Sequence, residues 1–582
     1  MGSKGALTFL FTMFLSSTTY ITDITTRESE VEIQTRLGNV IGVRHTSFID
    51  KRTIFKFLDI PYGKAPVGQL RFQKPQHFGA WSKTLNATTL GPVCYQSQNQ
   101  STTYPGFTED CLKLNIYVPN DINSSNSKSV MVWFHGGAFT FGSGGMFDGS
   151  MLSLVGDVIV VTINYRLGIF GFFASRNNKA KGNAGLWDQK MALNWIRYNI
   201  KDYGGNPDDI TIFGESAGGS SVSLQSLIPS NRGLFHRVIA QSGTANSHRV
   251  VSNATISTIA VGKKVGCTYN YHSGNDQNFV ECLKAVDAID LVKAMDIVWM
   301  DLGLNALVTL PFSPTVDGEL IRKDPIHLLT DRSSPEFNFF QSLDMMIGIC
   351  DNDGSLAMSF LPLYQSKLNF NFSEGVPTSE LCNVIVPVFS KSLYNSSGDV
   401  SNAICKKYSA VNNIEEQGRE FLHMHGDATF IAPAALALEY HANSIQGTTT
   451  YQYVFADELP SNNPLVPSWY RGSAHGTDVF YLFFYEQVKT KYVWPNGADV
   501  LVKQMRQYWT NFAKTGNPNG QGLPNWNPFD DSTLHPYMNL QSLMTSMGTK
   551  YRKTYIDLWN KELPNILQNR CNLRSCVMPV VG

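Results

Sequence analysis

The alternation of short β-branched apolar runs with helical segments constrains the fold of this chain more than any other feature. Candidate strands cover Val130–Phe134, Val158–Asn164, Ile210–Phe213 and Val238–Ala240. Between the second and third of these strands, Asp188–Ile200 carries apolar residues at helical spacing. Strand–helix–strand repetition of this kind is typical of a mainly parallel sheet with helices packed on its faces.

Three further segments extend this pattern. Met345–Ile349 and Tyr451–Phe455 are predicted to be later strands of the same sheet. Val31–His45, with Leu-Gly-Asn at its centre, predicts an antiparallel hairpin at the sheet edge. Asp499–Lys514 predicts a final long helix that ends at TGNPNG. Because no internal repeat or low-complexity linker is visible, one domain over residues 20–582 is the simplest division.

The composition argues against a nucleic-acid-binding protein. The 582 residues include 47 lysines and arginines and 47 aspartates and glutamates, so the formal net charge is zero. A nucleic-acid-binding chain would carry a basic footprint, which is missing here. The apolar fraction of 43% supports a large buried core. The charge balance therefore favours a neutral partner or a small molecule, and it leaves the oligomeric state open.

The N-terminus has the order of regions found in a signal peptide. Lys4 precedes an apolar run from Ala6 to Leu15, and small polar residues follow from Ser16 to Thr19. A run of ten residues is too short to span a bilayer, so residues 1–19 predict a secretion signal. A buried core helix is the alternative, but it fits poorly so close to residue 1. No later stretch has the length and apolarity of a transmembrane segment, and the tail lacks the hydrophobic end of a lipid-anchor signal.

Potential N-glycosylation sites agree with export. The Asn-x-Ser/Thr triplets begin at Asn86, Asn99, Asn123, Asn253, Asn371 and Asn395. Such triplets also arise by chance, so an unmodified surface asparagine is the alternative at each position. Together with the signal peptide they predict a secreted glycoprotein.

The nine cysteines include no C-x-x-C pair, which argues against zinc ribbons and thioredoxin-like chemistry. In an oxidising compartment, cysteines close in sequence would form local loops. Cys382 with Cys405 and Cys571 with Cys576 are possible local pairs. The odd number leaves at least one thiol free or paired with another chain, and Cys350, on a predicted strand, is the candidate for a buried free thiol.

The sequence TIFGESAGG places Ser216 in a G-x-S-x-G pattern between Gly214 and Gly218. The pattern alone is weak evidence, but a predicted strand ends at Gly214 and small residues open the following segment. This context is that of a nucleophile elbow, a strained strand-to-helix turn in which larger side chains would clash two positions from the serine. We therefore predict that Ser216 is the nucleophile of an α/β-hydrolase fold, rather than an idle serine in a glycine-rich turn.

A second glycine-rich loop follows an earlier strand. VMVWFHGGAF places His135 and a Gly-Gly-Ala turn directly after a predicted strand. An esterase needs N–H donors from such a loop to complete the oxyanion hole with the residue after the nucleophile. We assign the donors to Gly137, Ala138 and Ala217, and we expect His135 to be structural because it belongs to the loop and precedes the donors.

The base has to be one of twelve histidines. His475 lies in a loop of small residues, GSAHGTDVFYLF, before an aromatic run. The acid has to lie between Ser216 and His475, since the chain order in these hydrolases is serine, acid, histidine. Asp353 follows a predicted strand and precedes Gly354, and Asp351 is the alternative acid two residues earlier.

One other histidine pair could bind a metal ion. His423 and His425 form an HMH sequence, but a third ligand is not evident. Two histidines near the surface are the preferred interpretation, so we expect no metal site.

Several longer blocks of the sequence resemble one family. These blocks are IPYGKAPVGQLRF (60–72), EDCLKLNIYVP (109–119), VTINYRLGIFGF (161–172), GNAGLWDQKMALNWI (182–196), YGGNPDDITIFGESAGG (203–219), QSGT (241–244) and YWTNFAKTGNPN (508–519). With them the chain resembles the type-B carboxylesterases, which include cholinesterases and the bile-salt-activated lipase. The resemblance covers nearly the whole chain after the predicted signal peptide, and it implies carboxylic ester hydrolysis on an α/β-hydrolase fold.

The resemblance also implies roles for particular residues. In the family the acid directly precedes a glycine in a loop like GICDNDG, which selects Asp353 over Asp351. Glu215 matches as well, and we expect its charge to influence the histidine. The first two disulfides of the family map onto Cys94–Cys111 and Cys267–Cys282.

Two departures from the family pattern bear on specificity. Cholinesterases hold the choline ammonium on a tryptophan within the first disulfide loop, whereas residues 95–110 here contain Tyr95, Tyr104 and Phe107 but no tryptophan. After QSG, many members place a tryptophan that helps line the acyl pocket, and Arg249 stands about where it would fall. We therefore expect uncharged carboxylic esters or acylglycerols to be preferred, with a cholinesterase as the alternative.

These patterns predict a secreted serine esterase that acts on a small-molecule ester or lipid substrate. His475 takes the proton of Ser216, Asp353 fixes the imidazole tautomer, and an acyl-enzyme forms and is hydrolysed. The chemistry requires neither a metal ion nor an organic cofactor. The alternative is a non-catalytic binding protein resembling neuroligins, which usually lose a member of the triad, whereas all three positions here carry competent residues.

Overall fold

The computed structural model describes residues 26–574 except 48–51, 98–104, 123–126, 176–180, 271–275, 362–367, 396–397, 410–412, 443–446, 459–465 and 531–533. The predicted signal peptide, two of the glycosylation triplets (Asn99 and Asn123) and Cys576 lie outside these residues. The other four asparagines of the predicted glycosylation sites, Asn86, Asn253, Asn371 and Asn395, are exposed.

Within the described residues, thirteen strands form one mixed sheet and two more form a small separate sheet. The strands are β1 (Thr26–Thr35), β2 (Gly38–Ser47), β3 (Thr53–Pro61), β4 (Leu85–Asn86), β5 (Val93–Cys94), β6 (Phe107–Thr108), β7 (Lys113–Pro119), β8 (Lys128–Phe134), β9 (Ile159–Ile163), β10 (Gly205–Glu215), β11 (Arg237–Gln241), β12 (Asp344–Cys350), β13 (Thr450–Phe455), β14 (Pro536–Leu540) and β15 (Ser546–Thr549).

The strand order of the large sheet is β1-β2-β3-β7-β9-β8-β10-β11-β12-β13-β14-β15, with β4 beside β2 and the pair β5–β6 apart. Strands β9 to β14 are all parallel in this order, while β1, β2, β3 and β7 at one edge and β15 at the other are antiparallel. The predicted mainly parallel sheet with an antiparallel N-terminal hairpin at its edge is thus confirmed.

The helices connect the strands and cover both faces of the sheet. They are α1 (Ser150–Gly156), α2 (Gly168–Phe172), α3 (Ala184–Asn199), α4 (Ala217–Gln225), α5 (Ala254–Lys264), α6 (Gln277–Ala285), α7 (Ala288–Asp301), α8 (Pro325–Thr330), α9 (Pro335–Phe340), α10 (Ala357–Phe360), α11 (Thr378–Glu380), α12 (Val386–Tyr394), α13 (Asp399–Tyr408), α14 (Ile414–Gly426), α15 (Ala432–Ala442), α16 (Thr477–Val479), α17 (Tyr485–Val488), α18 (Ala498–Thr515), α19 (Lys553–Asp557) and α20 (Leu563–Arg574). Single-turn π-helical segments lie at Leu381–Ile385, Asp427–Ile431, Phe480–Phe484 and Leu558–Glu562.

The parallel strands are buried on both faces, which explains their continuous apolar sequences. Along β8, Val130 and Val132 pack into the core on one face, while Met131 and Trp133 pack into the core on the other. Because successive side chains of a strand point to opposite faces, both halves of such a run become buried when helices cover both sides.

The prediction of α18 as the final long helix is wrong, because α20 follows it. The sequence of α20, LPNILQNRCNLR, has polar residues on all sides. Leu563 is buried and Ile566 and Leu567 pack against the core, but these three apolar residues at helical spacing are too short a pattern to predict the helix from the sequence.

The structure forms three disulfides among the described residues. Cys94 is bonded to Cys111, Cys267 to Cys282 and Cys382 to Cys405, with Cα–Cα distances of 5.0, 5.8 and 5.3 Å. Cys350 on β12 is a free thiol and is completely buried. Among the helices of the described residues, none has the length and apolarity needed to cross a membrane.

Candidate active site

The predicted site residues all follow the carboxyl ends of parallel strands. Ser216 directly follows β10, the Gly-Gly-Ala turn follows β8, Asp353 follows β12, and His475 lies in the segment after β13. The strand register brings these ends together: on β10, Gly214 pairs with Phe134 of β8 and Glu215 with Gln241 of β11. Parallel strands end at a common edge, and this is where open α/β sheets form their sites.

Ser216 occupies a strained turn between β10 and α4. Its φ of 57° and ψ of −121° lie outside the regions that L-residues usually adopt, and the helix begins at the next residue. A Cβ on Gly218 would lie 1.9 Å from the carbonyl oxygen of Phe134, and one on Gly214 would lie 2.6 Å from it. The two glycines therefore allow the helix to return close against β8, which leaves Ser216 at the apex of the turn.

The loop after β8 presents free backbone donors. Gly137 and Ala138 have φ angles of 109° and 53°, and the carbonyl of Gly137 accepts hydrogen bonds from the N–H groups of Thr140 and Phe141 at 2.9 and 3.0 Å. This turn leaves the N–H groups of Gly137 and Ala138 without an acceptor among the described residues, and the same holds for Ala217 at the start of α4. All three residues line one cavity together with Ser216.

A continuous chain of hydrogen bonds links the predicted triad. The Oγ atom of Ser216 lies 2.9 Å from Nε2 of His475, and Nδ1 of His475 lies 2.8 Å from Oδ1 of Asp353. The other carboxylate oxygen of Asp353 accepts from the backbone N–H of Cys350 at 3.0 Å. The backbone N–H of His475 donates to Oγ of Ser355 at 2.8 Å, which holds the histidine loop against the turn that carries the acid.

The alternative acid faces a different partner. Oδ1 of Asp351 accepts a hydrogen bond from the backbone N–H of Ser473 at 2.6 Å, and burial raises the pKa of Asp351 to about 7. The carboxylate that contacts His475 is that of Asp353, which is completely buried. Asp351 instead fixes the start of the loop that carries the histidine.

Glu215 provides a second buried carboxyl group beside the histidine. Its Oε1 atom lies 3.3 Å from Nε2 of His475. Burial raises the pKa of Glu215 to about 8, although the nearby His475 opposes this shift. Burial lowers the pKa of His475, but the charge of Glu215 and the hydrogen bond to Asp353 outweigh it, so the pKa of His475 is raised overall. The arrangement favours the imidazolium form that a base must pass through.

The other histidines named above are unsuited to catalysis. His135 is buried and stacks on the ring of Tyr165 at 4.4 Å, and burial lowers its pKa to about 4. His423 lies half-buried beside Glu420. His425 is not near the surface as predicted: it is completely buried, and its Nε2 atom lies 3.0 Å from the carbonyl of Leu307, because it faces inward from α14. The described residues contain no cluster of three groups that could hold a metal ion.

A buried hydrogen-bond network that the sequence does not reveal lies beneath the triad. Asp478, three residues after His475, accepts hydrogen bonds on Oδ2 from Nε2 of Gln241 at 2.9 Å and from the hydroxyl of Tyr453 at 2.7 Å. The Gln241 side chain in turn accepts from the indole N–H of Trp509 at 3.0 Å. The sequence gives no signal for this role of Asp478 beyond its position in the GTD triplet, because its two partners lie on separate strands, β11 and β13.

The cavity above Ser216 is largely apolar. Phe430 packs against the imidazole of His475 with the ring centres 4.5 Å apart, a contact that the sequence did not indicate. The phenylalanines that line the cavity are Phe139, Phe141, Phe360, Phe430, Phe480 and Phe484. No tryptophan or tyrosine of the described residues lines it, and the cavity wall includes one arginine, Arg249.

Comparisons with known proteins identify the family of this chain. A family model described as the carboxylesterase family matches residues 29–559. The chain is 31% identical to the liver carboxylesterase of Sus scrofa over 545 residues, which cover 91% of this chain and 92% of that protein. It is 32% identical to the carboxylesterase 5A of Mus musculus over 550 residues, or 92% and 89% of the two chains. It is also 32% identical to the bile salt-activated lipase of Bos taurus over 546 residues, or 91% and 87%. The chain belongs to the carboxylesterase family and is a carboxylic ester hydrolase.

Proposed function

We propose that the protein hydrolyses carboxylic esters through an acyl-enzyme on Ser216, with His475 as general base and Asp353 as the acid that orients it. The observation that carries this proposal is the hydrogen-bond chain from Ser216 through His475 to Asp353, with contacts of 2.9 and 2.8 Å. Ser216, the proposed nucleophile, also lines a cavity together with three backbone N–H groups that have no acceptor among the described residues.

The reaction follows from these positions. His475 removes the proton of Ser216 while Oγ attacks the ester carbonyl, and the resulting oxyanion accepts hydrogen bonds from Gly137, Ala138 and Ala217. The imidazolium then protonates the leaving alcohol, and the ester C–O bond breaks to give the acyl-enzyme. Water enters, loses a proton to His475 and attacks the acyl carbon. Collapse of this second intermediate releases the acid and returns the proton to Ser216.

Asp353 and Glu215, the two carboxyl groups next to His475, have different roles in this mechanism. Asp353 keeps the proton of the neutral imidazole on Nδ1, so that Nε2 faces the nucleophile. Glu215 lies 3.3 Å from Nε2, and the positive charge that the ring gains in each half-reaction lowers the pKa of Glu215, so that its carboxylate stabilises the imidazolium. The imidazole ring itself is held between Asp353 and the aromatic face of Phe430.

Replacement of the nucleophile tests this mechanism. We expect Ser216→Ala to lower kcat for p-nitrophenyl acetate by several orders of magnitude and to abolish labelling by a fluorophosphonate, because the acyl-enzyme cannot form. Ser226→Ala is the matched control, since Ser226 is buried near the end of α4 and its hydroxyl donates to the Ser223 carbonyl. Near-normal turnover in Ser216→Ala would overturn the assignment, whereas an unlabelled native protein would favour a binding protein of the same fold.

We propose that uncharged carboxylic esters, including acylglycerols, are preferred over choline esters. The cavity offers phenylalanine rings to an acyl or alkyl chain, and none of its described residues is a tryptophan. The bile salt-activated lipase of Bos taurus is named for a lipid substrate, and its similarity to this chain supports including acylglycerols among the candidates.

We propose that residues 20–582 form one catalytic domain of a secreted glycoprotein, released after removal of residues 1–19. Three disulfides and the four exposed asparagines of the glycosylation triplets among the described residues support an oxidising route. Expression without residues 1–19 should retain the protein inside the cell and leave Cys94 and Cys111 reactive to alkylation. Secretion of that shortened chain would count against the signal peptide.

A further inference from the structure

The cavity above Ser216 contains a buried arginine. Arg249 follows β11, is only 4% exposed, and lines the cavity that holds the predicted nucleophile. Its Nη2 atom donates to the carbonyl of Ala306 at 3.0 Å, and its guanidinium lies 5.3 Å from the ring centre of Phe360. These two contacts fix the position of the guanidinium in the cavity wall.

Most of the donors of this guanidinium are unused. The Nε and Nη1 atoms of Arg249 have no hydrogen-bond partner among the described residues, and no described carboxylate forms an ion pair with it. The hydroxyls of Ser359 and Thr429, which are 7% and 1% exposed, also lack a partner within the described part of the chain. Both residues line the same cavity as Arg249, and the unpaired nitrogens and hydroxyl oxygens of the three side chains are buried in its wall.

The electrostatics of this group point to a negatively charged ligand. Burial lowers the pKa of Arg249 to about 9, so it remains charged near neutral pH. The neighbouring His248 and His425 stay neutral there, because burial and the charge of Arg249 lower the pKa of both. An unpaired buried charge is costly unless a counter-charge arrives, and a guanidinium binds a carboxylate through two parallel hydrogen bonds.

We propose that Arg249, assisted by Ser359 and Thr429, selects esters that bear a carboxylate at a distance from the scissile ester group. The proposal rests on the ester hydrolysis proposed above and names a substrate class for it. It agrees with the preference for uncharged over choline esters, since a cation in the cavity wall repels a quaternary ammonium. Monoesters of dicarboxylic acids carry the carboxylate on the acyl side, and acylated hydroxy acids carry it on the alcohol side.

The unmodified enzyme provides the first test. The two substrates are p-nitrophenyl hydrogen adipate and p-nitrophenyl 6-oxoheptanoate, in which a methyl ketone replaces the carboxylate at nearly the same size. For each ester, kcat/KM is divided by the rate constant of its hydroxide-catalysed hydrolysis. We expect this normalised kcat/KM to be about tenfold or more higher for the adipate ester than for the ketone at pH 7. The corresponding pair for the alcohol side is 4-acetoxybenzoate and 4-acetoxyacetophenone. A higher normalised kcat/KM for the anionic ester in either pair supports the proposal and shows whether the carboxylate is bound on the acyl or the alcohol side. Equal values for the two esters in both pairs overturn the proposal.

A variant then assigns the preference to Arg249. Arg249→Met keeps the length of the side chain and removes its charge and donors, so we expect the ratio of anionic to neutral kcat/KM to fall about tenfold or more. Arg44→Met is the matched control, because the exposed Arg44 also lies over a ring, that of Phe55 at 5.8 Å, but does not line the cavity. A ratio within threefold of the native value in Arg249→Met, or an equal loss in Arg44→Met, would contradict the role of Arg249.

The two proposals fail in different ways. If the acyl-enzyme mechanism is wrong, Ser216→Ala hydrolyses both esters as the native enzyme does. If only the role of Arg249 is wrong, Ser216→Ala is inactive but the native enzyme does not distinguish the adipate ester from the ketone. Should Arg249→Met fail to fold, the native substrate pairs and Arg249→Lys, which keeps the charge and is expected to retain part of the preference, still decide the question.

Discussion

Asp351 and Asp353 have the same side chain and nearly the same place in the sequence, yet only one contacts the imidazole. Asp353 accepts from Nδ1 of His475 at 2.8 Å, while Asp351 accepts from the backbone of Ser473 at 2.6 Å. We expect Asp353→Asn to lower kcat by about 10⁴-fold, the loss seen when the equivalent acid of a serine protease is replaced, because the amide favours the wrong imidazole tautomer. Steady-state kinetics with p-nitrophenyl acetate measure this.

Asp351→Asn is the matched control for that measurement. The amide oxygen can still accept from Ser473, so we expect kcat within about tenfold of the native value and a small loss of stability. Reversed phenotypes would mean that Asp351 is the acid and that the hydrogen bond from His475 to Asp353 is not the functional one.

The pH dependence of kcat/KM tests whether Glu215 raises the pKa of His475. His475 acts as a base only when neutral, and its pKa is raised above the ordinary value of 6.5, so kcat/KM should rise with pH through a midpoint above 6.5. Glu215→Gln removes one of the charges that raise this pKa, and it leaves the hydrogen bond to Asp353 that raises it and the burial that lowers it. We therefore expect the acidic limb of the kcat/KM profile to move to lower pH in the variant.

His475 and Glu215 are close enough to titrate together. The midpoint of the kcat/KM profile therefore belongs to the pair rather than to either residue. Glu281→Gln is the control, because Glu281 lies on α6 and pairs with Lys284 rather than with the active-site histidine. An unchanged or more alkaline limb in Glu215→Gln would show that Glu215 does not raise the pKa of the base.

At the scale of elements, a buried ion pair ties α3 to the segment between β9 and α2. Two nitrogens of the Arg166 side chain each donate to a carboxylate oxygen of Asp188 at 2.7 Å, and the backbone N–H of Arg166 donates to the same carboxylate at 3.0 Å. The side chains are 3% and 0% exposed. Removal of one partner leaves the other charge buried and unpaired.

We expect Asp188→Ala to lower the free energy of unfolding by about 3–5 kcal/mol, because Arg166 loses its counter-charge in the interior. Urea denaturation followed by tryptophan fluorescence measures the change. Asp290→Ala is the control: Asp290 pairs with Lys293 on the surface of α7 at 3.1 Å, and such exposed pairs contribute less than about 1 kcal/mol. Equal losses in the two variants would contradict a special role for burial.

The sequence predicts elements well where a local pattern carries the signal. The predicted Ile210–Phe213 lies within β10, and the predicted Asp499–Lys514 lies within α18, because continuous apolar runs and helical periodicity are local properties. The hydrogen bonds of Asp478 and the ring of Phe430 against His475 could not be predicted in this way. Those contacts join residues hundreds of positions or several elements apart, so they depend on the packing of the whole sheet and its helices.

At the scale of the whole molecule, the cavity is assembled from segments spread over most of the chain. Its lining runs from Gly137 after β8 to Phe484 in the π-helical segment before α17, and includes Arg249 after β11. Substrate specificity therefore depends on how these segments pack together around the cavity. The six phenylalanines form an uncharged lining, and the guanidinium of Arg249 gives one part of the wall a positive charge.

This lining predicts poor recognition of choline esters. A quaternary ammonium is held best by an indole face, with an interaction of about 2 kcal/mol or more when desolvated, which corresponds to roughly 30-fold in affinity. The described lining offers no indole, so we expect acetylthiocholine to have a lower kcat/KM than its uncharged isostere 3,3-dimethylbutyl thioacetate. A series of p-nitrophenyl esters from acetate to palmitate, measured alongside, gives the acyl-chain preference. A higher kcat/KM for acetylthiocholine than for the isostere would show that the enzyme is a cholinesterase with a differently built cation site.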